Sequence, residues 1–259
     1  RLEATGLSAV NSDTFVIGHD VAAGLEWIVD PTGGWQSGKD ITTLPKLRVV
    51  DQYNNAVSTG PTVTISASVV GANSVGVLGV TGNEASGVEE IEFAHLNVTA
   101  VADSYVFSFS GEVNGVTFGS ITTSGTIDIT HGDPTQLTII TPAAGSRAGL
   151  AFTQSPVLEI QDSAGNRVED AALTVTVTSS NQILIGTQQT NAAAGTASFA
   201  VDPGLEGRSS AGITLTYKTT FNGQDITTSQ SIDLLAGLPS SLRVLEDSST
   251  VSTRAVFSP

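Results

Sequence analysis

Ser155-Pro156-Val157-Leu158-Glu159-Ile160-Gln161-Asp162-Ser163-Ala164-Gly165-Asn166-Arg167-Val168 has a counterpart earlier in the chain, Leu44-Pro45-Lys46-Leu47-Arg48-Val49-Val50-Asp51-Gln52-Tyr53-Asn54-Asn55-Ala56-Val57. Pro45, Leu47, Asp51, Asn55 and Val57 return as Pro156, Leu158, Asp162, Asn166 and Val168. Each pair is 111 positions apart (162 − 51), with no gap inside the block. Ahead of the Asp, Leu158 and Ile160 alternate with Glu159 and Gln161, as Leu47 and Val49 do with Lys46 and Arg48. A period of two describes a strand with one buried face. The proline suits the first residue of a strand, where a missing N–H costs little. Asp-x-x-x-Asn then supplies turn chemistry: the carboxylate accepts a backbone N–H two residues on, and Asn or Gly tolerates the left-handed region. A second alternating run follows, Leu173, Val175 and Val177 in one copy and Val63, Ile65 and Ala67 in the other. The block is strand, tight turn, strand. Asp51, Asn55, Asp162 and Asn166 are therefore read as turn residues rather than as metal ligands or catalytic groups.

The chain of 259 residues has room for two medium domains, and the repeat selects two. Acidic residues number 25 against 10 basic ones, a net charge of −15. That balance argues against nucleic acid or an anionic membrane as partner, since both need basic patches. It leaves many carboxylates free for cations. The absence of cysteine removes disulfides and thiolate metal sites. Small and β-branched residues dominate and aromatic residues are few, a composition suited to thin sandwiches with many turns. No apolar run approaches the roughly 18–20 residues of a membrane-spanning helix, so direct membrane insertion is not expected. Arg1-Leu2-Glu3-Ala4-Thr5-Gly6 lacks the apolar middle of a signal peptide. Without an initiator Met the chain reads as a processed protein or a piece of a longer one.

Strands are expected near 24–29, 45–50, 61–69, 76–81, 87–94, 104–111 and 116–130. In the second copy they fall near 136–141, 156–161, 172–178, 182–187, 195–201, 211–219 and 224–235. Asn114-Gly115 and Asn222-Gly223 sit between paired runs in the two copies. Asn-Gly is the strongest short hairpin signal, because a type I′ turn needs positive φ at both central residues. No window shows the 3.6-residue apolar period of a helix. Asp13-Thr14-Phe15-Val16-Ile17-Gly18-His19-Asp20 resembles the segment ending at His131-Gly132-Asp133. Residues 1–21 are thus expected to be the last strand of a preceding domain, with sandwiches over 22–132 and 133–237. Residues 238–259 would open a further one. Short connections between the units predict a rod with limited bending.

These residues carry a family resemblance. Val-x-Asp-x-x-x-Asn-x-Val, Thr-Val-Thr, Gly195-Thr196-Ala197-Ser198-Phe199 and the Ile213-Thr214-Leu215-Thr216 strand resemble bacterial immunoglobulin-like repeats. Such repeats build invasin- and intimin-type adhesins and surface-layer proteins. The resemblance covers nearly the whole length and rests on turns and core strands. It implies an all-β architecture: tandem immunoglobulin-like β-sandwiches of about seven strands each, with a partial domain strand at each end. It also implies an extracellular or cell-surface place, and it transfers no binding residue.

Catalytic and nucleotide signatures are not found: no Gly-x-Ser-x-Gly, no P-loop, no His-Glu-x-x-His, no EF-hand loop. No catalytic residue and no cofactor are therefore expected. His19 and His131 occupy equivalent joints, which suggests a packing or hydrogen-bonding role. Calcium is the most credible cation, since it takes hard oxygen ligands. Asp20 and Asp133, at the joints, are its candidate ligands, solvated charge being the plainer reading. Trp27 replaces Ile139 at an inward strand position and is read as core. Trp35 lies in a Gly-rich stretch between polar neighbours and is a candidate partner contact, the alternative being cover for the open end of the sandwich. Asn97-Val98-Thr99 is the one Asn-x-Ser/Thr match.

The leading expectation is a non-catalytic structural protein, a segment of a cell-surface rod, surface layer or self-assembling filament, with itself or neighbouring subunits as partner. The alternatives are an adhesin stalk that binds a glycan or receptor through loops such as 30–43 or 70–86, and accessory domains of a larger secreted enzyme.

Overall fold

The computed structural model describes residues 14–200 and 202–242. The chain divides into two compact units. The first is Arg1–Gln136 with Gln161–Val168, and the second is Leu137–Ile160 with Glu169–Pro259. Residues 161–168, the Asp162 turn, belong with the first unit because their side chains bond to the backbone of residues 100, 102 and 132.

Both units are all-β and built of several small sheets. In chain order the first strands are β1 (Gly24–Val29), β2 (Gly34–Gln36), β3 (Lys46–Val50), β4 (Val63–Val70), β5 (Val77–Thr81), β6 (Glu84–Gly87), β7 (Glu90–Glu92), β8 (Asn97–Ala100), β9 (Asp103–Val113), β10 (Val116–Thr122) and β11 (Ile127–Thr130). One sheet has the order β1-β3-β7 and the other β2-β11-β9-β4-β6, with β10 also on β9. β5 and β8 form a separate pair. Leu47, Val49 and Ile91 from the first sheet and Ile65, Phe107 and Phe109 from the second belong to one buried cluster. That shared cluster makes the unit a sandwich. It also shows why the alternating runs form strands: Leu47 and Val49, Val63, Ile65 and Ala67, and Tyr105, Phe107 and Phe109 all fall on inner faces.

The remaining strands are β12 (Gln136–Thr141), β13 (Leu150–Ala151), β14 (Val157–Gln161), β15 (Thr174–Ser179), β16 (Ile183–Ile185), β17 (Gln189–Asn191), β18 (Thr196–Ser198), β19 (Gly204–Glu206), β20 (Ser210–Phe221) and β21 (Gln224–Leu234). They pair in the orders β12-β14-β18, β13-β19-β16 and β17-β15-β20-β21. Leu158, Ile160, Val175, Leu205, Ile213, Leu215 and Tyr217 are fully buried there. Phe199 meets Tyr217 edge to face, with ring centroids 5.9 Å apart.

Each expected run coincides with a strand, and the differences have local causes. The run expected over 116–130 is two strands. Thr123 breaks it: its hydroxyl accepts the Phe107 N–H (3.3 Å) and donates to the Gly125 carbonyl (2.8 Å). β10 and β11 therefore pair with different halves of β9. The short strands β2, β6, β8, β13, β17 and β19 come in addition to the seven runs expected in each copy. A 3-10 turn, Ala72–Gly76, precedes β5. Residues 14–23 and 236–242 are in no strand. The remainder of the expected partial domains, 1–13 and 243–259, lies outside the described residues. No helix among the described residues is long and apolar enough to cross a membrane.

Candidate functional site

The Asp-x-x-x-Asn turn is built twice with the same bonds. Asp51 Oδ1 accepts the N–H groups of Tyr53 (2.8 Å) and Asn55 (2.9 Å). Asp162 Oδ1 accepts those of Ala164 and Asn166, both at 2.9 Å. In each turn the Asn amide donates back to the other carboxylate oxygen, Asn55 to Asp51 at 3.0 Å and Asn166 to Asp162 at 2.9 Å. The backbone closes the loop through Asp51 N–H to Asn55 carbonyl and Asp162 N–H to Asn166 carbonyl, 2.9 Å each. The left-handed residue is the fourth of the turn, Asn54 at φ 67° and Gly165 at φ 84°. These are two residue types that accept that conformation.

The second oxygen of each carboxylate reaches a segment about thirty residues upstream. The N–H of Asp20 donates to Asp51 Oδ2 at 2.9 Å, and that of Gly132 to Asp162 Oδ2 at 2.7 Å. Each donor follows a histidine whose Nδ1 faces the donor's own carbonyl, at 2.8 Å for His19 and 3.1 Å for His131. At His19 the Thr59 N–H donates to Nε2 (3.2 Å), which places the ring proton on Nδ1, donating to Asp20. One carboxylate thus receives three N–H bonds from backbone and one from an amide. The Asp20 N–H foremost, with help from the Asn55 and Tyr53 groups, holds the Asp51 carboxyl well below the usual carboxylate range against the opposing effect of burial.

Asn166 does more than close its turn. Its Nδ2 also donates to the Ala100 carbonyl (2.9 Å) while its Oδ1 accepts the Ala102 N–H (2.7 Å). It grips a carbonyl and an N–H two residues apart, and it is 9% exposed. Asn55 makes the same bonds within its own turn but is exposed.

The candidate calcium ligands are engaged otherwise. Asp20 Oδ1 accepts the Val21 N–H and Oδ2 the Gln52 amide, each at 2.8 Å. The Asp133 carboxylate is ion-paired with Lys39. Among the described residues no three His, Cys, Asp or Glu side chains gather as a metal site.

Trp35 corrects an expectation. It is 6% exposed and packs its ring 4.7 Å from that of Phe107, so the partner-contact reading gives way to a core role. The stretch around it is β2, paired in parallel with β11, which carries the indole inward. Trp27 is half-buried, edge-on to Phe109 at 5.1 Å, with its indole N–H on the Thr122 carbonyl. At the hairpins, Asn114 and Gly115 take φ of 50° and 82°, and Asn222 and Gly223 take 49° and 78°. A groove of about 530 Å³ beside the His19 joint is lined largely by Val21, Val57, Val63, Val113, Val116 and Phe118.

Sequence reasoning placed the Asp turns but missed what Asp51, Asp162 and Asn166 reach beyond them. It also missed Tyr105, whose buried hydroxyl donates to the Val101 carbonyl four residues back (2.7 Å). Burial pushes that phenol upward in pKa. The arrangement holds backbone in place: each of the two Asp carboxylates accepts three backbone N–H groups and one side-chain amide.

No protein-family model matches the chain. No curated protein matches it either. Among solved structures it is similar to β-glucuronidase 3 of Bacteroides uniformis, at 14% identity and TM-score 0.29 over 80% of this chain and 24% of that one. It is similar to FdeC, an Escherichia coli adhesin, at 17% identity and TM-score 0.30 over 86% and 67%. A putative membrane-anchored protein of Corynebacterium diphtheriae matches at 14% identity and TM-score 0.31 over 86% and 55%. The chain spans about a quarter of the length of the glycosidase chains it matches. Superpositions at these TM-scores carry no argument about activity or partner.

Proposed function

We propose that the chain is a non-catalytic extracellular structural module, a segment of a cell-surface rod, layer or filament. The observation that carries this reading is the joint of His, following residue and Asp-x-x-x-Asn turn, built twice with the same bonds. A carboxylate fully occupied by N–H donors fixes a connection rather than performing chemistry. The acidic surface favours solubility for a long exposed chain.

Labelling of intact source cells with antibody raised against the chain tests the reading. Staining without permeabilisation is expected, and staining only after permeabilisation would refute it. An adhesive role is the second reading, favoured by Val75 and Leu78, which stand 89% and 62% exposed in the 70–86 segment. Loss of cell attachment in Val75→Glu would support that role.

A further inference from the structure

We propose that the Asn55 turn is a docking site for a second copy of this chain, gripping the exposed Gly207-Arg208-Ser209 turn of that copy. Both Asp-x-x-x-Asn turns lie in the first unit. Asn166 spends one Nδ2 hydrogen on its own Asp162 and uses the rest of its amide to hold Ala100 carbonyl and Ala102 N–H. Asn55 has the same place in the same turn and the same bonds to its own Asp. Its Oδ1 and second Nδ2 hydrogen meet no partner among the described residues, and the side chain faces solvent. The spacing of that open amide fits a backbone carbonyl and an N–H two residues further on.

The fold identifies the turn that offers them. Ala100-Val101-Ala102 joins β8 to β9, and β9 runs into the Asn114-Gly115 hairpin. Gly207-Arg208-Ser209 joins β19 to β20, which runs into Asn222-Gly223 in the same order. Both turns flank one larger residue with two small ones, so the backbone can approach an amide closely. Ala100–Ala102 is already held by Asn166, whereas Gly207, Arg208 and Ser209 are all exposed. The two faces differ, so the contact is heterologous and extends into an open string unless its rotation closes a ring. The net charge of −15 opposes approach, and added salt strengthens association by screening it. This contact stands on turn geometry alone, so its failure would leave the cell-surface reading untouched.

The test is NMR of the isotope-labelled full chain from micromolar to millimolar concentration at raised salt, with sedimentation in parallel. The Asn55 side-chain amide and the Gly207, Arg208 and Ser209 amides are expected to shift together while the average mass grows. Asn55→Ala weakens self-association about tenfold, the loss of two hydrogen bonds to backbone. Added to the parent chain it caps growth, because its 207–209 face is intact. Asn55 also supports its own turn, so the melting curve of the variant is recorded alongside. Ser209→Pro, which removes the N–H from the other face, forms a one-to-one dimer with Asn55→Ala and nothing larger. Concentration-independent spectra, as cover of Asn55 by residues 1–13 of the same chain would give, overturn the proposal. So do shifts confined to other surfaces, or a closed symmetric dimer that Asn55→Ala leaves unchanged.

Discussion

The peptide N–H of Gly132 lies 2.7 Å from Oδ2 of Asp162, thirty residues along the chain. The bond ties a connecting segment to the turn that follows it. Its counterpart, Asp20 to Asp51 at 2.9 Å, is likewise made by a backbone N–H alone, so an Asp and a Gly can each supply it in their own surroundings.

Asp162 is 1% exposed and accepts four hydrogen bonds. Asp162→Ala leaves those donors without partners in a site water reaches poorly. A loss on the order of 3 kcal/mol is expected in denaturant unfolding. Asp162→Asn, which keeps one acceptor oxygen, falls between the variant and the parent chain.

Gly132 has no room for a side chain. A Cβ there would collide with the Ser37 carbonyl oxygen, which is backbone and does not swing aside. Gly132→Ala is expected to cost about 3 kcal/mol. Gly125→Ala, in the turn before β11 and with nothing within 4 Å, is the control and changes stability little.

The depressed Asp51 carboxyl makes stability depend on pH on the acid side. Its folded value lies below the unfolded one of about 3.9. The stabilisation is therefore fully present above that value and is lost as pH falls through the folded value. Melting temperature is expected to fall with pH below about 4. Asp51→Asn should be less stable at neutral pH and show a flatter acid slope. An unchanged slope would mean that the carboxylate does not hold the joint.

Trp35 packs on Phe107 inside the first unit. Trp35→Ala is expected to destabilise by about 4 kcal/mol through cavity formation. It should leave any binding to cells or glycans unchanged under conditions where the variant stays folded. Loss of binding without loss of stability would restore the contact reading.

The longer strands were legible because their apolar residues alternate over five or more positions, as in Val63–Ala67 and Tyr105–Phe109. So was the strand-turn-strand block, whose Asp and Asn announce local hydrogen bonding. Gly34–Gln36 and Gly204–Glu206 were not, because three residues with no alternating run around them show no period. Trp35 looked like a loop residue for that reason: its burial comes from parallel pairing with β11, a partner some ninety residues distant that no local pattern reports. The break at Thr123 is hidden among other threonines, since only the fold decides which hydroxyl replaces a ladder bond. The grip of Asn166 on Ala100 and Ala102 is likewise a contact between segments more than sixty residues apart. Its signal in the sequence, an Asn at the end of each turn, is equally well explained by turn closure.

Amide hydrogen exchange at Asp20 and Gly132 is the decisive measurement for the carboxylate-held joints, because both residues lie outside strands and owe protection to a single carboxylate each. Both amides should be protected in the parent chain. Asp51→Ala should release Asp20 alone and Asp162→Ala should release Gly132 alone. Exchange of either amide at the rate of an open peptide in the parent chain, or protection that survives loss of its Asp, would show that the carboxylates do not hold these joints.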